Sequence, residues 1–187
     1  DPTVRAIAQH ASRNHSPHCG ITHIAHDVQQ LTEKHIIEMG RIDFYGAGPP
    51  CQDFSKARLS GPNPGVRLGL KGTTGQLFNT MIDKWRLVMK HNPHCQWLIE
   101  NVDMRDMPDC KIVSQLLGVK PIAVNSLNHS YTWRNRLYLT NIELPPQWRD
   151  GNPPKDINEC LDAGRRIKQC ATLTAAWKGN EHKPFQH

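Results

Sequence analysis

The sequence predicts an α/β fold in which helices cover both faces of a largely parallel sheet. Short apolar runs typical of buried strands alternate along the chain with longer stretches whose apolar residues recur at helical spacing. Strands that alternate with helices usually form parallel sheets with both faces covered. With 187 residues, the chain is long enough to form one domain with its own core.

The first elements are predicted from helical periodicity and from residues that begin and end helices. Residues 4–11 carry apolar side chains at helical spacing, and residues 21–28 follow as a short strand that ends in an acid. A helix begins after Thr32 and ends at Gly40, since threonine caps helix starts and glycine favours their ends. Residues 41–48 form the next buried strand.

The central elements are predicted in the same way. A long helix carries an apolar stripe over residues 77–89, and residues 96–102 form a strand. A further helix covers residues 111–118. Two extended segments, residues 120–128 and 134–142, have few residues between them, so we expect a hairpin at the edge of the sheet.

From residue 143 the composition changes. The segment "ELPPQWRDGNPPK" is rich in proline and turn-forming residues, and beyond it only residues 158–168 show a helical pattern. We therefore expect two regions, residues 1–142 and residues 143–187, the second being the start of another structural region.

Composition narrows the possible partners and compartments. The formal charge of +6 and a pI near 9.1 favour an anionic partner, most commonly nucleic acid. The six cysteines form no C-x-x-C pair and no clustered ligand spacing, so neither a metal module nor a disulfide framework is predicted. The sequence has no bilayer-spanning run and no signal peptide pattern, which predicts a soluble intracellular protein that binds no membrane.

Candidate site residues stand just after predicted strands, where parallel sheets bind ligands, and at the beginning of the last strand. Each has an ordinary structural interpretation alone, as a helix cap or a solvated charge, but together they place a thiol, a carboxylate and two guanidinium groups at one edge of the sheet. They are Asp27 with Val28, Pro50 with Cys51, Glu100 with Asn101, and Arg134 with Arg136.

The stretch "GAGPPCQDFS" holds one thiol, Cys51, directly after a strand and two prolines. A lone cysteine is usually a small buried hydrophobic residue. Here the neighbouring carboxylate and guanidinium groups instead favour a nucleophile that a rigid turn holds in place.

Four motifs in order resemble the DNA methyltransferases that methylate carbon 5 of cytosine. They are "HDVQQLTEKHI", "GPPCQDFS", "ENV" and the Arg134-x-Arg136 pair, and the resemblance covers about residues 1–142. The segment "TTGQLF" and Thr132, which stands where other branches have glutamine, look most like the animal de novo branch.

The resemblance implies a chemistry for the candidate residues. It implies that Cys51 adds as a thiolate to carbon 6 of a cytosine flipped out of double-stranded DNA. Glu100 would hold the ring nitrogen and the exocyclic amine, and Arg134 or Arg136 would bind the ring carbonyl. Four basic residues of a Gly- and Pro-rich loop, residues 56–74, would touch DNA phosphates: Lys56, Arg58, Arg67 and Lys71. An ordinary surface loop is the alternative interpretation of this segment.

The resemblance also implies a Rossmann-like fold that binds S-adenosylmethionine as methyl donor. Asp27 and Val28 would touch the adenine end of the donor, and Pro50 would line the same pocket. The family's Gly-rich turn after the first strand and the acid after the second strand do not occur in this sequence, so we expect a fold that is incomplete at both ends and a longer enzyme. The resemblance implies that residues 1–142 are part of its catalytic domain and that residues 143–187 begin its target-recognition region. The family further implies a nuclear location in a eukaryote and assembly as homo- or hetero-oligomers with related chains.

Three other functions fit parts of the pattern. A catalytically silent accessory methyltransferase module would explain the missing donor motifs, but it has no chemical need for the thiol, the carboxylate and the arginines. The related transfer RNA branch carries a Cys-Phe-Thr signature, whereas Cys170, Ala171 and Thr172 stand in a comparable region here. A plain nucleic-acid-binding domain would not need Cys51 and Glu100 together.

Overall fold

A computed structural model of the chain describes residues 24–25, 27–60, 64–126 and 134–144. Several sequence predictions lie outside these ranges. They concern the helix over residues 4–11, residues 21–23 and 26 of the first strand, Thr132, the helix over residues 158–168, Cys170 with its neighbours, and the second region beyond residue 144.

The described ranges contain α-helices, strands and two short 3₁₀ helices. The helices are α1 (Glu33–Met39), α2 (Ala57–Ser60), α3 (Gln76–His91) and α4 (Pro108–Leu117), the strands are β1 (Phe44–Ala47), β2 (Gln96–Val102), β3 (Ile122–Asn125) and β4 (Asn135–Thr140), and the 3₁₀ helices are Val28–Gln30 and Gly69–Lys71.

The chain divides into two compact units. The first comprises residues 1–43 and 80–95, within which the described part contains α1 and residues 80–91 of α3. The side chain of Thr32 caps α1, as predicted, and Gly40 ends the helix with a φ of 70°. Directly after α3, the buried Asn92 accepts a hydrogen bond from the backbone N–H of Ile42 through its Oδ1 at 2.9 Å.

The first predicted strand is wrong where the structure describes it. Ile24 and Ala25 lie in no strand, and Val28–Gln30 form a 3₁₀ helix. The cause is local: the Asp27 carboxylate accepts the backbone N–H of Gln29 at 2.8 Å, which caps the turn and competes with an extended conformation.

The second unit comprises residues 44–79 and 96–187, and it contains the sheet. The strand order is β1-β2-β4-β3, in which β1 and β2 pair in parallel while β2 with β4 and β3 with β4 pair antiparallel. The predicted edge hairpin is therefore confirmed. The prediction of a mostly parallel sheet is wrong for the described strands, because a hairpin reverses direction and its strand β4, not β3, pairs with β2.

The core of the second unit follows from alternation in the strands and periodicity in α4. Along β2 every second residue from Trp97 to Asn101 is buried, and Leu137 and Leu139 are buried on β4. Cys110, Val113 and Leu117 are the buried residues of α4. The fold is thus α/β with a small mixed sheet, and helices on both of its faces remain a prediction.

Candidate active site

The parallel pairing of β1 and β2 places the ends of both strands at one edge of the sheet. In the register, Ala47 lies opposite Ile99, so Gly48 follows β1 next to Glu100. A Cβ atom built on Gly48 would lie 3.7 Å from Oε2 of Glu100, which confirms this proximity. The turn after β1 and the acid on β2 therefore share one local surface.

Two prolines and a buried amide fix the turn that carries Cys51. Pro49 and Pro50 restrict the backbone, and Nδ2 of Asn101 donates to the carbonyl of Pro49 at 3.0 Å. Asn101 is 1% exposed, and its Oδ1 accepts the backbone N–H of Val102 at 2.8 Å. A buried amide with both groups engaged specifies one geometry, so β2 determines where the turn lies.

Cys51 lies at the start of the next turn. Its carbonyl accepts the backbone N–H groups of Phe54 at 3.0 Å and of Ser55 at 2.8 Å. The thiol is free and its residue is partly exposed, whereas Cys95 and Cys110, the other described cysteines, are buried. Among these three, Cys51 is thus the thiol best placed to meet a substrate.

Glu100 and Arg136 form an ion pair across β2 and β4. In the register Glu100 lies opposite Tyr138, and Arg136 lies two residues away on the same face of the sheet. Nε of Arg136 lies 2.8 Å from Oε1 of Glu100, and both side chains are partly exposed. Arg136 also donates through Nη1 to the carbonyl of Asn135 at 2.7 Å. The guanidinium group thereby holds one oxygen of the carboxylate.

Arg134 lies at the entry to β4 and is exposed. Its backbone N–H donates to Oδ1 of Asn125 at 3.2 Å, and its carbonyl accepts the N–H of Ser126 at 3.0 Å. The backbone of Arg134 is therefore held by β3 and the residue after it, at the hairpin end near the ion pair.

The residues predicted to hold the methyl donor lie in separate units. Asp27 and Val28 belong to the first unit, where Asp27 caps the 3₁₀ helix and Val28 is 43% exposed. Pro50 belongs to the second unit and is partly buried in the turn before Cys51.

Three of the four loop residues predicted to bind phosphate have carboxylate partners. Nζ of Lys56 lies 3.4 Å from Asp106, and Nη1 of Arg58 lies 3.5 Å from Asp53. Arg67 makes two bonds to the Asp106 carboxylate, at 2.7 and 3.0 Å, and is only 10% exposed. This bidentate pair holds the pKa of Asp106 far below its usual range.

Arg67 also donates through Nε to the carbonyl of Phe54 at 2.8 Å, which favours a structural role for its guanidinium group. Lys71, at the end of the Gly69–Lys71 helix, is exposed. Of the four predicted phosphate contacts, Lys71 and Lys56 are thus the more accessible cations.

Sequence reasoning missed the carboxylates that organise this loop. Asp53 is 3% exposed and accepts hydrogen bonds from Thr74 and Gly75, and Asp106 binds two loop cations. The hydrogen bond from the Thr74 side chain is the main reason why the pKa of Asp53 is lowered. Asp53 lies inside the motif that carries Cys51, but no periodicity or spacing distinguishes it from a surface acid.

The described ranges contain neither a metal-ion cluster nor a membrane-spanning helix. Nowhere in them do three or more His, Cys, Asp or Glu side chains come together in a way that can hold a metal ion. Every helix in the same ranges is too short or too polar to span a bilayer.

One protein-family model matches more than half of the chain. The family model described as C-5 cytosine-specific DNA methylase matches residues 6–116. The match includes the Cys51 turn, the whole of β2 with Glu100 and Asn101, and most of α4. More than half of the chain lies within it, and the chain therefore belongs to the C-5 cytosine-specific DNA methylase family.

Proposed function

We propose that this protein methylates carbon 5 of cytosine in DNA, with S-adenosylmethionine as methyl donor. One observation carries the proposal: the turn of Cys51 is bonded to β2 at Asn101, next to the Glu100–Arg136 pair. A nucleophile, an acceptor of ring N–H groups and a cation thus come from adjacent elements in a chain of the matching family.

The chemistry requires these three groups because carbon 5 of cytosine is a poor nucleophile. When the Cys51 thiolate forms a bond to carbon 6, the ring electrons move toward carbon 5, which becomes an enamine carbon able to take up a methyl group. S-adenosylmethionine, when bound, would supply the methyl group as an electrophilic carbon, with the C–S electron pair remaining on its sulfur as a neutral thioether. Once carbon 5 carries the methyl group, loss of its proton expels the Cys51 thiolate and restores the aromatic ring.

Glu100 is proposed to bind the cytosine edge with the oxygen that faces the Cys51 turn. Arg136 holds Oε1, whereas Oε2 lies near Gly48, which has no side chain of its own. An oriented carboxylate can accept the exocyclic amine and support a proton at the ring nitrogen while the thiolate adds. Arg136 then has a positioning role, and the exposed Arg134 is the better placed of the two arginines to reach the ring carbonyl.

The donor residues fit the proposed cofactor in their chemistry. Asp27 carries a carboxylate that can accept from an adenine amine, and the exposed Val28 offers an apolar contact to a planar ring. Pro50 would line the donor pocket. These three roles are part of the proposal.

The proposed substrate is double-stranded DNA with the target base flipped out, because a stacked cytosine exposes neither face to a thiol. We propose that Lys56, Arg58, Arg67 and Lys71 contribute phosphate contacts, with Arg67 needing to leave Asp106 to do so. The same proposal includes three further points. The segment "TTGQLF" supports membership of the de novo branch, and the protein is proposed to be nuclear and to associate with related chains.

Covalent trapping tests the nucleophile. The full-length protein, given S-adenosylmethionine and DNA that carries 5-fluorocytosine, should become attached through Cys51, because fluorine cannot leave carbon 5 as a proton does. Cys51→Ser should abolish trapping while thermal unfolding stays close to that of the unchanged protein, since the two side chains are nearly isosteric.

Cys110→Ala is the matched control, because it removes a buried thiol on α4 and should leave trapping intact. Trapping that persists in Cys51→Ser would refute the assignment of the nucleophile. No trapping by the unchanged, folded protein would favour the silent accessory module.

A further inference from the structure

A buried carboxylate lies two residues after the proposed nucleophile. Asp53 is 3% exposed, and its Oδ2 accepts three hydrogen bonds: from the Thr74 backbone at 2.9 Å, from the Thr74 hydroxyl at 2.5 Å and from the Gly75 backbone at 3.0 Å. Burial of a charged carboxylate is costly unless it is bonded in this way. The three donors therefore fix both the charge and the position of Asp53.

The backbone carbonyl and the Oδ1 atom of Asp53 also have partners. Its carbonyl accepts the backbone N–H of Gly69 at 3.0 Å, and Nη1 of Arg58 lies 3.5 Å from Oδ1. A Cβ atom on Gly72 would lie 2.2 to 2.5 Å from the carboxyl atoms, so the backbone of Gly72 packs directly against the group. We call Asp53, Thr74 and Gly75, with their hydrogen bonds, the Asp53 cluster.

The cluster is linked to Cys51 through one turn of backbone. The carbonyl of Cys51 accepts from Phe54 and Ser55, which encloses Asp53 within the turn that Cys51 begins. Asn101 holds the other side of Cys51 through Pro49. The nucleophile is thus fixed on one side by β2 and on the other by the Asp53 cluster.

We propose that Asp53 is a positioning residue for the thiol of Cys51, and that Thr74 is the partner through which it acts. The proposal rests on the proposed function for its effect on catalysis, but the positioning itself is a property of the protein without DNA. A displacement of a reacting atom by about 1 Å can lower a rate by about a hundredfold. Loss of the cluster should therefore slow attack by Cys51 more than it weakens DNA binding.

Thr74 supplies the sharpest variants. Thr74→Val keeps the shape but removes the hydroxyl that donates to Asp53, whereas Thr74→Ser keeps the hydroxyl. Thr73→Val makes the same chemical change at the neighbouring exposed position and is the matched control. Asp53→Asn, which keeps one acceptor oxygen but removes the charge, tests the carboxylate itself.

The first measurement is the single-turnover rate at which the full-length protein forms the adduct with 5-fluorocytosine DNA, alongside the DNA dissociation constant. For Thr74→Val we expect the rate to fall by about tenfold to a hundredfold while the dissociation constant changes by less than about threefold. For Asp53→Asn we expect the same fall in rate, but only the rate is compared, because this variant also removes the carboxylate beside Arg58. Thr74→Ser and Thr73→Val should stay within about twofold of the unchanged protein in both quantities.

The second measurement needs no DNA and no activity. Iodoacetamide should alkylate Cys51 of the free protein at a rate that changes by at least about threefold in Thr74→Val and is restored in Thr74→Ser, as followed by mass spectrometry of the Cys51 peptide. If the unchanged protein forms no adduct but this pattern holds, the proposed function fails and the positioning role stands.

Two results would overturn the positioning role. One is a Thr74→Val variant whose adduct and alkylation rates match those of Thr73→Val. The other involves Val113→Ala, a variant in the buried face of α4. If Thr74→Val and Val113→Ala lose the same adduct rate and the same thermal stability, a general loss of stability would explain the slower rate of Thr74→Val. If Asp53→Asn does not fold, the three threonine variants decide alone.

Discussion

The two oxygens of the Glu100 carboxylate have different surroundings. Oε1 is paired with Arg136, while Oε2 lies beside the turn that leads to Cys51. Glutamine has the same shape as glutamate but no charge, so it separates the electrostatic role of the residue from its packing.

Glu100→Gln should leave DNA affinity within about threefold, because affinity comes mainly from phosphate contacts. Its turnover should fall by about a hundredfold or more, since the variant loses a preorganised contact to the charge that develops in the ring. Single-turnover kinetics and DNA titrations measure the two effects. Glu38→Gln, on an exposed position of α1, is the control, and equal losses of affinity and rate in Glu100→Gln would contradict the role proposed for it.

Alanine substitutions at two glycines of the second unit should have opposite effects on stability. An added methyl group on Gly48 meets Oε2 of Glu100 at 3.7 Å, an ordinary contact, whereas on Gly72 it overlaps the Asp53 carboxyl group at 2.2 Å. Neither glycine has a positive φ, so backbone strain does not enter the comparison.

Gly48→Ala should therefore keep its stability but bind a flipped cytosine poorly, because the methyl group occupies space beside Glu100. Gly72→Ala should unfold at lower denaturant concentration, by about 1–3 kcal/mol for an overpacked site. Denaturant unfolding together with adduct formation checks both variants. A Gly48→Ala variant with unchanged adduct formation would place the base elsewhere.

The elements that the sequence predicted well are those with a local cause. Thr32 and Gly40 mark the two ends of α1, an apolar stripe marks α3, and a short apolar run marks β2. The 3₁₀ helix at Val28 was missed because a single side-chain bond from Asp27 decides it. The pairing of β4 with β2 depends on contacts between residues about forty positions apart, which no short pattern contains.

In the candidate site, too, local motifs could be predicted from the sequence and contacts between distant residues could not. The motif predicted Cys51, Glu100 and the arginines, but the ion pair of Glu100 with Arg136 follows from a strand register that only the structure gives. The capture of Arg67 by Asp106 could not be predicted, because the two residues lie 39 positions apart on irregular segments.

Because Arg67 and Asp106 form an ion pair, the stability of the folded protein should fall in acid. The pKa of Asp106 is lowered in the folded protein, so the pair contributes stability above the carboxyl's unfolded pKa of about 4 and loses it as the pH falls toward the lower folded pKa. The stability difference between the unchanged protein and Asp106→Asn should hence be constant from about pH 8 to pH 5 and shrink below about pH 4.

Denaturant unfolding across this pH range measures the difference. Asp83→Asn, at a position whose partner Arg86 is also exposed, is the control and should show a much smaller difference at neutral pH. A difference that grew on acidification would contradict the role of the pair.

The formal charge of +6 predicts an anionic partner, and the DNA proposed above as substrate is one. The net charge alone could not show how many cationic side chains are free of carboxylate neighbours and so available to bind DNA phosphates. Around the proposed active site, Lys56, Arg58 and Arg67 each have a carboxylate neighbour within 4 Å.

The position of Asp106 between Lys56 and Arg67 has a consequence for the ionic-strength dependence of DNA binding. A cation that neutralises a DNA phosphate releases condensed counterions, which contributes about −0.9 to the slope of log affinity against log salt. A cation that must leave Asp106 exposes an anion to the duplex, so its net contribution is smaller. In DNA titrations of the full-length protein at several salt concentrations, Asp106→Asn should tighten binding at low salt and steepen the slope. Asp106 would then limit how strongly salt changes the affinity in the proposed DNA binding.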